Sequence, residues 1–570
     1  MERIITVFFL VISSMSYTQS SLPEPRFRSP VDFPVRLSGT FGELRSGHFH
    51  SGIDIKTYEQ TGKVVKMIAD GYISRIKISS GGYGRALYVT HNNGYTSVYG
   101  HLLKFNRTID KYVRKIQKRE QSYEIDVTVP KYRLFYHKGN IIAYTGNSGY
   151  SMGPHLHFEI RETDTQKPVN PLYFGFDVED DIPPTLYGLK IYENTNGFYP
   201  RERHFDVKER NGRYSLEGVN DTINISGDVS FGIRAIDKLN DAPNPNGVYH
   251  IRLLRSDSVV WSWKADRFSF YETRYINSLI DYREFKKSKS RFVRTKIDPF
   301  NALSMYEKAD KSGQYKVRKD SVTHFEFQVS DYAGNTSALP FFVRRDSLEL
   351  PTPVGLYGDS ALLSPEKSHE LDLKGLALHF PREAFYGKTL FYVHKIAPDS
   401  TYPFPVYTIG DEGLPVHRYF TLSIDMDTIS AKLRNKSVWG RYDEEDGFSW
   451  IDTSVENGKL KGMAREFGVY SLKVDTVPPK VNFIDLVDNQ VLKSLPEEVN
   501  IEVRDSLTTI DEYDVFLNDK WVIAEYDAKN DRLIYRFDEE PRKGRNVLKV
   551  KVIDKAGNRR EREIQFHYSH

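Results

Sequence analysis

Apolar and polar residues alternate in short runs along most of this chain. Within residues 547–552, apolar and charged side chains alternate, and residues 86–90 form a similar short run rich in apolar side chains. Gly, Asn and Asp bound such runs. Alternation with period two is typical of a strand that buries one face. The pattern therefore predicts a mainly β protein.

Two repeated motifs indicate where domains start and end. An Asp-x-x-Pro-Pro motif stands at residues 180–184 and again at 475–479, each time before strand-like sequence, and is interpreted as a domain start. A Val-x-Asp-x-Ala-Gly-Asn motif stands at residues 329–335 and 552–558. Its Gly-Asn pair suits a tight turn with positive φ, so we interpret it as the last hairpin of a repeated unit.

Pairing the motifs divides the chain into four parts, and a length of 570 residues also suits about four domains. We expect a first domain over 23–175, an immunoglobulin-like domain over 176–346 with an insertion around 271–310, a further β domain over 347–475 and a second immunoglobulin-like domain over 476–570.

The first residues have the character of a secretory signal. A charged start at Met1–Arg3 precedes about twelve mostly apolar residues, fewer than the roughly 20 that span a bilayer. We predict a signal peptide over 1–18, with an uncleaved membrane anchor as the alternative. No later segment has 18 uninterrupted apolar residues, so we expect no transmembrane segment after signal removal and a secreted or periplasmic location at the cell envelope.

Composition excludes several kinds of function. Eighty Lys and Arg against 77 Asp and Glu give a net charge of +3, which is too small for a protein whose main ligand is nucleic acid. The chain has no Cys, which excludes disulfide scaffolds, thiol nucleophiles and Cys-ligated zinc. Any metal ion must therefore be held by His and carboxylate side chains.

Histidines are concentrated in the first domain, where seven of the 16 lie between His48 and His157. His155 and His157 follow a Pro in an alternating run, so both imidazoles are predicted on one face of a strand. A lone His-x-His pair is weak support, and a second one occurs at residues 48–50. Three further residues in the same domain strengthen the support that the pair His155 and His157 gives to a functional site.

His50 and Asp54 are separated by three residues, and Gly52 between them lets the backbone turn so that both side chains converge. His101 ends a strand-like run that begins at Tyr95. These segments thus supply one carboxylate and several imidazoles, the two kinds of side chain that this Cys-free chain offers to a metal ion.

In this order, these segments resemble the lysostaphin-type, or LytM-type, zinc metallopeptidases, whose signature is His-x-x-x-Asp, a separate His and then His-x-His. Members of that family cut the peptide crosslinks of bacterial peptidoglycan. The flanking residues 61–65, 71–73 and 138–146 are also similar to the family. The resemblance covers about residues 35–175. It implies an antiparallel β peptidase domain of the duplicated hybrid motif type, followed here by three β-sandwich-like domains.

Residue by residue, the resemblance implies that His50, Asp54 and His157 are ligands of Zn²⁺, and that His101 and His155 are an unligated catalytic pair. Three N or O ligands leave one position open for a water molecule that the zinc ion activates. One of the two remaining histidines would handle the proton of the water and the other would stabilise the oxyanion, in an order that the sequence leaves open.

The implied function is that of a secreted zinc endopeptidase acting on peptidoglycan peptide crosslinks. One alternative is a catalytically silent envelope protein whose peptidase-like domain binds and activates another cell-wall hydrolase. A third interpretation is general proteolysis of secreted proteins. For the three C-terminal β domains, the sequence leaves three roles open: binding of wall glycan, docking of an envelope protein partner and shielding of the cleft.

The remaining histidines of this region and one insertion complete the predictions. We interpret His48 as a residue at the rim of the site, and His91 and His137 as surface residues. About 30 residues from 104 to 136 look like an insertion relative to compact relatives. It contains a predicted helix whose basic face, in our hypothesis, rims the substrate cleft and attracts carboxylates of stem peptides; the alternative is a solvated helix face. The apolar face of that helix consists of Ile109, Tyr112, Val113 and Ile116.

Overall fold

The computed structural model describes residues 27–194, 200–346, 361–373, 375–398, 403–443 and 447–569. The predicted signal peptide, 1–18, lies outside these residues. About 50% of the chain is strand and 9% is helix, which confirms the mainly β prediction. No helix among the described residues combines the length and the apolar surface needed to cross a bilayer.

The first unit of the fold carries the histidine-rich region. Its strands are β1 (Leu37–Gly39), β2 (Leu44–Arg45), β3 (His48–Phe49), β4 (Ile53–Lys56), β5 (Val64–Lys66), β6 (Gly71–Ile78), β7 (Arg85–His91), β8 (Tyr95–Gly100), β9 (Leu102–Phe105), β10 (Ile125–Thr128), β11 (Phe135–Tyr136), β12 (Ile141–Thr145), β13 (His155–Glu162) and β14 (Pro168–Val169). A 3₁₀ helix, Pro171–Phe174, ends the unit.

An antiparallel sheet in the order β1-β4-β13-β8-β7-β6-β10 forms the body of this unit, with β11 added on β6 and β14 on β13. A smaller sheet, β5-β12-β9, and the hairpin β2-β3 accompany it. Alternate residues of the central strands β4 and β13 enter the core, among them Ile53, Ile55, Leu156 and Phe158. The opposite face of these two strands is therefore available for polar side chains.

The helix predicted in the insertion is present as α1, Arg107–Glu120. The side chain of Asn106 caps its start by accepting a hydrogen bond from the backbone N–H of Ile109. Ile109, Val113 and Ile116 are buried in the core of the first unit, which confirms the predicted apolar face. Gln121 in the left-handed conformation ends the helix.

The second unit consists of two sheets around one hydrophobic core. Its strands are β15 (Thr185–Glu193), β16 (Arg201–Arg210), β17 (Arg213–Leu216), β18 (Ile223–Ile225), β19 (Val229–Leu239), β20 (Ala242–Asn246), β21 (His250–Arg255), β22 (Ser258–Lys264), β23 (Val293–Arg294), β24 (Tyr306–Ala309), β25 (Val322–Ser330) and β26 (Thr336–Arg345). One sheet has the order β17-β16-β15-β19-β20 with β23 on β19, and the other has the order β18-β26-β25-β21-β22-β24.

The segment of the second unit that was predicted as an insertion contains helices. They are α2 (Ile276–Leu279), α3 (Tyr282–Ser288) and two 3₁₀ helices, Phe270–Tyr275 and Asp310–Gly313. Ile276, Leu279 and Phe285 of this segment contribute to the core of the second unit. The insertion is thus packed on the unit that carries it.

The third unit again has two main sheets around one core. Its strands are β27 (Ala361–Leu363), β28 (His369–Asp372), β29 (Ala377–Phe380), β30 (Thr389–Phe391), β31 (Val393–Ile396), β32 (Val406–Ile409), β33 (Pro415–Asp425), β34 (Ser437–Asp443), β35 (Gly447–Trp450), β36 (Thr453–Glu456), β37 (Lys459–Glu466) and β38 (Gly468–Val474). The sheets are β28-β29-β33-β37-β36 and β31-β32-β38-β34-β35, with the pair β27-β30 beside them. Two 3₁₀ helices, Met426–Thr428 and Arg434–Lys436, connect β33 to β34.

The fourth unit resembles the second in its strand pairing. Its strands are β39 (Lys480–Phe483), β40 (Gln490–Leu492), β41 (Val499–Arg504), β42 (Ile510–Leu517), β43 (Lys520–Trp521), β44 (Ala524–Asp527), β45 (Arg532–Tyr535), β46 (Gly544–Asp554) and β47 (Arg559–Tyr568). The sheets are β39-β41-β45-β44 and β40-β47-β46-β42-β43. In both units a short early strand pairs in parallel with the last strand, β18 with β26 and β40 with β47.

These units confirm the predicted architecture of a β domain followed by three β-sandwich-like domains, while the exact domain limits stay predictions. The Gly-Asn turns have the predicted backbone, with φ of 100° at Gly334 and 71° at Gly557. One feature was not predicted. The hairpin β2-β3 of the first unit places Phe49 in the core of the second unit, where it packs against Trp263 and Phe268.

The fourth unit contacts the first unit. Arg85 of β7 donates a hydrogen bond of 2.6 Å to Glu525 of β44, and both side chains are largely buried. Lys118 near the end of α1 pairs with Asp538 and Glu539. A cavity of about 580 Å³ lies between α1 and the fourth unit. Of the basic face of α1, Lys118 therefore pairs with the fourth unit, whereas Arg114 and Arg119 pair with Asp110 and Glu120 of the helix itself.

Candidate metal centre

Asp54 and His157 lie directly opposite each other on adjacent strands. β4 and β13 pair antiparallel with Asp54 in register with His157. Because Ile53 and Ile55 point into the core, Asp54 points to the other face, where His155 and His157 also stand. The predicted placement of both imidazoles on one face of a strand is confirmed.

His50 reaches the same place from the segment before β4. The Nε2 atom of His50 lies 3.1 Å from Asp54 Oδ1 and 3.1 Å from His157 Nδ1. Gly52 permits this approach for a reason of space, since a Cβ there would stand 2.3 Å from the main-chain oxygen of Phe158. Close packing against β13, and not an unusual backbone angle, thus explains the glycine.

Three donor atoms form a nearly equilateral triangle. Asp54 Oδ1 lies 2.9 Å from His157 Nδ1, and His50 Nε2 lies 3.1 Å from each. For bonds of about 2.0–2.1 Å, the ligand atoms of a tetrahedral zinc ion lie roughly 3.3–3.4 Å apart. The two imidazoles and the carboxylate therefore fit a zinc ion after an adjustment of a few tenths of an ångström, and they can hold one.

The outer atoms of two of these side chains have partners that fix their orientation. The Nδ1–H group of His50 donates a hydrogen bond of 2.8 Å to the main-chain oxygen of Thr40. The Nε2 atom therefore carries a free lone pair. Thr40 is itself held by the second unit through hydrogen bonds between its hydroxyl and the backbone of Gly247. Arg45 of β2 donates to Asp54 Oδ2 at 2.5 Å, so that Oδ1 stays directed at the histidines.

The third side chain, His157, is oriented by a buried carboxylate. Glu159 Oε1 accepts a hydrogen bond from His157 Nε2 at 2.8 Å, which leaves Nδ1 as the atom facing Asp54. Ser51 and Tyr83 also donate to Glu159 Oε1, at 2.7 and 2.5 Å. Arg161 donates to the other oxygen at 2.6 Å. Such a carboxylate–histidine pair behind a ligand fixes the ring and makes it a better donor.

Electrostatics of the triangle favour a cation. Burial lowers the pKa of His50 to about 4, so this ring is neutral. Burial opposes the charge of Asp54, but the neighbouring imidazole of His50 and hydrogen bonds from His155 and His157 hold the pKa of that carboxyl well below its usual range. Against the effect of burial, hydrogen bonds to Asp54 and Glu159 raise the pKa of His157 to about 9. A metal ion at His157 thus competes with a proton for the same nitrogen.

His101 lies beside the triangle in a constrained conformation. It directly follows β8, with φ of 57°, and donates its Nδ1 proton to the main-chain oxygen of Ser148 at 2.8 Å. Its ring centroid lies 4.7 Å from that of His155 and 5.8 Å from that of His157. Burial and the charges of the two neighbouring histidines lower the pKa of His101 to about 3, so Nε2 is an unprotonated acceptor.

His155 is the most accessible of the five residues. Its side chain is 16% exposed, whereas those of His50, Asp54 and His157 are 3–7% exposed. Its Nε2 lies 3.4 Å from Asp54 Oδ1, and its Nδ1 lies 2.9 Å from the main-chain oxygen of Gly153. The structure therefore brings together all five residues that the sequence indicated.

The other histidines of this unit have different environments. His48 is exposed and contacts the main-chain oxygen of Ser46. His137 is exposed, as predicted. The prediction for His91 was wrong, because its ring is buried between the main-chain oxygen of Asp70 and the hydroxyl of Ser97. These two hydrogen bonds satisfy both of its nitrogens inside the unit.

Sequence reasoning missed the residues that support the centre. Glu159 and Arg161 continue the alternation that begins at His155, so period two along β13 places them on the same face and is a signal that would have found them. Thr40 and Arg45 lie in loops and a two-residue strand, where no periodicity indicates that they return to the site. Their roles follow only from the tertiary structure.

Comparison with known families identifies two parts of the chain. A family model described as Peptidase family M23 matches residues 48–118, which include His50, Asp54 and His101. A model described as Zu5-like domain matches residues 360–475, the strands of the third unit.

Two curated relatives match a part of the chain. "DD-carboxypeptidase/endopeptidase Mpg" of Neisseria meningitidis is 32% identical over 143 residues, which are 24% of this chain and 26% of that protein. Lysostaphin of Staphylococcus staphylolyticus is 30% identical over 115 residues, 20% of this chain and 19% of that protein. The chain thus spans about a quarter of the length of these relatives or less.

A solved structure also matches a part of the chain. The catalytic domain of lysostaphin from Staphylococcus simulans is 24% identical, and the match covers 25% of this chain and 91% of that one with a TM-score of 0.19. Together, the family model and the relatives confirm the resemblance to the lysostaphin-type peptidases.

Proposed function

Starting from the M23 peptidase domain that this chain carries, we propose that it is a secreted or periplasmic zinc endopeptidase that hydrolyses peptide crosslinks of bacterial peptidoglycan. The observation that carries the proposal is the triangle of His50, Asp54 and His157, with donor atoms 2.9–3.1 Å apart. His101 and His155 beside it provide the acid–base groups that hydrolysis of an amide needs.

His50 Nε2, Asp54 Oδ1 and His157 Nδ1 are the atoms that would hold the zinc ion. When bound there, zinc supplies Lewis acidity, which lowers the pKa of a water molecule to about 7 and polarises a carbonyl group. Thr40, Arg45 and Glu159 keep the three donor atoms directed at one point.

His101 is suited to accept a proton. Its Nδ1 proton is held by the Ser148 carbonyl, so the lone pair of Nε2 is the only position at which the ring can take up a proton. The Nδ1 atom of His155 lies 2.9 Å from the Gly153 carbonyl oxygen, and its Nε2 atom lies 3.4 Å from Asp54 Oδ1. We assign proton transfer and positioning of the substrate carbonyl to His101 and His155 as a pair, of which His155 is the ring that solvent reaches.

The substrate is inferred from the relatives. One is named as a DD-carboxypeptidase and endopeptidase and the other as lysostaphin. Tyr150 and Met152 are exposed on the loop between Ser148 and His155. Two exposed apolar side chains at this position suit contact with the aliphatic parts of a crosslinking peptide.

Digestion of purified peptidoglycan tests the proposal. We expect the full chain to release shortened muropeptides, identified by mass spectrometry, and we expect a zinc chelator to abolish the release and added zinc to restore it. Asp54→Asn should lose at least about 10³-fold in rate, because it removes the only anionic ligand. His137→Ala, a change of an exposed histidine, is the matched control.

The outcomes separate the possible functions. Loss of activity in Asp54→Asn alone supports the proposal. Absence of any cleavage by the zinc-loaded wild-type chain, together with stimulation of another hydrolase, would show the catalytically silent activator instead. Digestion of casein at a rate similar to that of peptidoglycan would indicate general proteolysis.

A further inference from the structure

Three aspartates meet where the two repeated sequence motifs of the second unit come together. Asp180 belongs to the Asp-x-x-Pro-Pro motif, Asp331 belongs to the Val-x-Asp-x-Ala-Gly-Asn motif, and Asp237 lies on β19. One carboxylate oxygen from each lies within 4.8 Å of the others. The two motifs are separated by about 150 residues, so only the fold joins them.

The fourth unit repeats this arrangement with different residues. Asp475 and Asp554 occupy the same two motif positions, and Asp505 at the end of β41 supplies the third carboxylate. Their oxygens again lie within 4.8 Å of one another. Two units with the same pair of motifs thus contain the same triad of carboxylates.

The frame around both triads is also the same. In the second unit, Asn335 Nδ2 donates to the main-chain oxygen of Asp180 at 2.9 Å and to Asp331 Oδ2 at 2.8 Å. In the fourth unit, Asn558 Nδ2 donates to the main-chain oxygen of Asp475 at 3.0 Å and to Asp554 Oδ2 at 2.9 Å. The Asn of each motif therefore holds the domain start against the last hairpin.

One buried carboxylate oxygen in each triad lacks a hydrogen-bond partner. Asp237 is 3% exposed, and its buried Oδ1 has no hydrogen-bond partner. The buried Oδ1 of Asp505 is also without one. Within the described ranges, none of the six aspartates forms an ion pair with Lys, Arg or His at 4 Å or less. Buried polar atoms normally have partners, so each triad is incomplete without a further group.

The chemistry of the triads identifies that group as a hard cation. Burial and the charges of Asp180 and Asp331 raise the pKa of Asp237 to about 8, which reflects the cost of placing three carboxylates together. All the donors are oxygen atoms. Calcium takes six to eight oxygen ligands from carboxylates, main-chain carbonyls and water, whereas zinc prefers imidazole.

We propose that each triad binds one calcium ion. Asp180 lies in the connection between the 3₁₀ helix Pro171–Phe174 and β15, and Asp475 lies in the connection between β38 and β39. A bound ion therefore ties the incoming connection to the body of the unit that follows. These ions stabilise the second and fourth units, because an ion that binds only the folded chain adds to its stability.

Calorimetric titration of calcium into the full chain tests this proposal. We expect the wild-type chain to bind two ions, with dissociation constants no weaker than about 10⁻⁴–10⁻³ M, the range of extracellular modules. Asp237→Asn and Asp505→Asn should each bind one ion, and the double variant should bind none. Asp257→Asn changes an exposed aspartate in a turn of the second unit and should still bind two.

Each result decides the proposal for its own triad. Loss of one ion in a single variant supports that triad, and an unchanged number of ions overturns it. A wild-type chain that takes up no calcium at millimolar concentration overturns both. Circular dichroism checks that each variant is folded. If Asp237→Asn does not fold, Asp180→Asn, in the partly exposed connection, tests the same triad.

Discussion

Lys529 of the fourth unit donates a hydrogen bond of 3.2 Å to the main-chain oxygen of Ser151 in the first. It also donates to the main-chain oxygen of Asn147 at 2.5 Å. The hydroxyl of Ser151 lies 3.2 Å from His155 Nδ1, and the neighbouring Ser148 carbonyl holds His101. The loop that orients both proposed catalytic histidines is therefore supported from outside by the last unit of the chain.

Replacing Lys529 should weaken catalysis without unfolding the chain. In Lys529→Met, two hydrogen bonds to the loop are lost, and a loss of about 1 kcal/mol in positioning corresponds to roughly a fivefold lower kcat. Lys543→Met changes an exposed lysine of the same unit and is the control. Rates of muropeptide release and melting temperatures check the effect. Equal kcat values for the two variants would show that the loop does not depend on this contact.

Glu159 should control zinc affinity through His157. In Glu159→Gln, the charge behind the ring is lost and Arg161 keeps no anionic partner at that position, so zinc affinity should fall about 10–100-fold. Competition with a chelating dye measures the dissociation constant. Glu120→Gln, at the exposed end of α1, should bind zinc like the wild type. Unchanged affinity in Glu159→Gln would mean that this carboxylate only stabilises the fold.

Zinc binding should depend strongly on pH. The pKa of His157 is about 9 without metal, so the ring carries a proton at neutral pH that the metal ion must displace. The apparent affinity should therefore decrease by about tenfold for each pH unit below about 9, until other ligands titrate. Dissociation constants measured between about pH 6 and pH 8 test this slope. A flat profile over that range would contradict the assignment of Nδ1 of His157 as a ligand atom.

The contact between the first and fourth units should be sensitive to acid. Against burial, the charges of Arg85 and Arg536 lower the pKa of Glu525 to about 2. A depressed pKa in the folded chain gives a stabilisation that is complete above the unfolded value near 4.5 and is lost as the pH falls towards about 2. Its size is on the order of 3 kcal/mol.

Melting curves at several pH values test this contact. The wild-type chain should lose stability between about pH 4.5 and pH 2 more steeply than Glu525→Gln, which lacks the titrating group. Glu540→Gln, an exposed glutamate of the same unit, should follow the wild type. If Glu525→Gln shows the same pH dependence as the wild type, the pair with Arg85 does not stabilise the fold.

Much of the centre is predictable because it lies on regular strands. The alternation along β13 places His155 and His157 on one face. The pairing of β4 with β13 then places Asp54, four residues after His50, directly opposite His157. The same periodicity extends to Glu159. His91 shows the limit of the method, because its burial depends on Ser97 of the adjacent strand, which no local pattern reveals.

Local sequence patterns do not predict the contacts between units. Thr40 orients His50 because Gly247 of the second unit holds it. Lys529 reaches the loop that contains Ser151 although almost 380 residues separate them along the chain. Neither residue has a neighbour in sequence that indicates its partner. Such contacts depend on how whole units pack, which is decided by buried surfaces and not by periodicity.

Gly52 provides a direct test of the geometry of the centre. In Gly52→Ala, the new Cβ would stand 2.3 Å from the main-chain oxygen of Phe158, so the backbone between His50 and Asp54 must move away from β13. We expect a loss of stability of about 2 kcal/mol or more and less than one zinc ion per chain by elemental analysis. Gly153→Ala is the control, because no atom lies within 4 Å of its Cβ position and it borders the same site. A Gly52→Ala chain that binds zinc and melts like the control would show that His50 and Asp54 converge without this close packing.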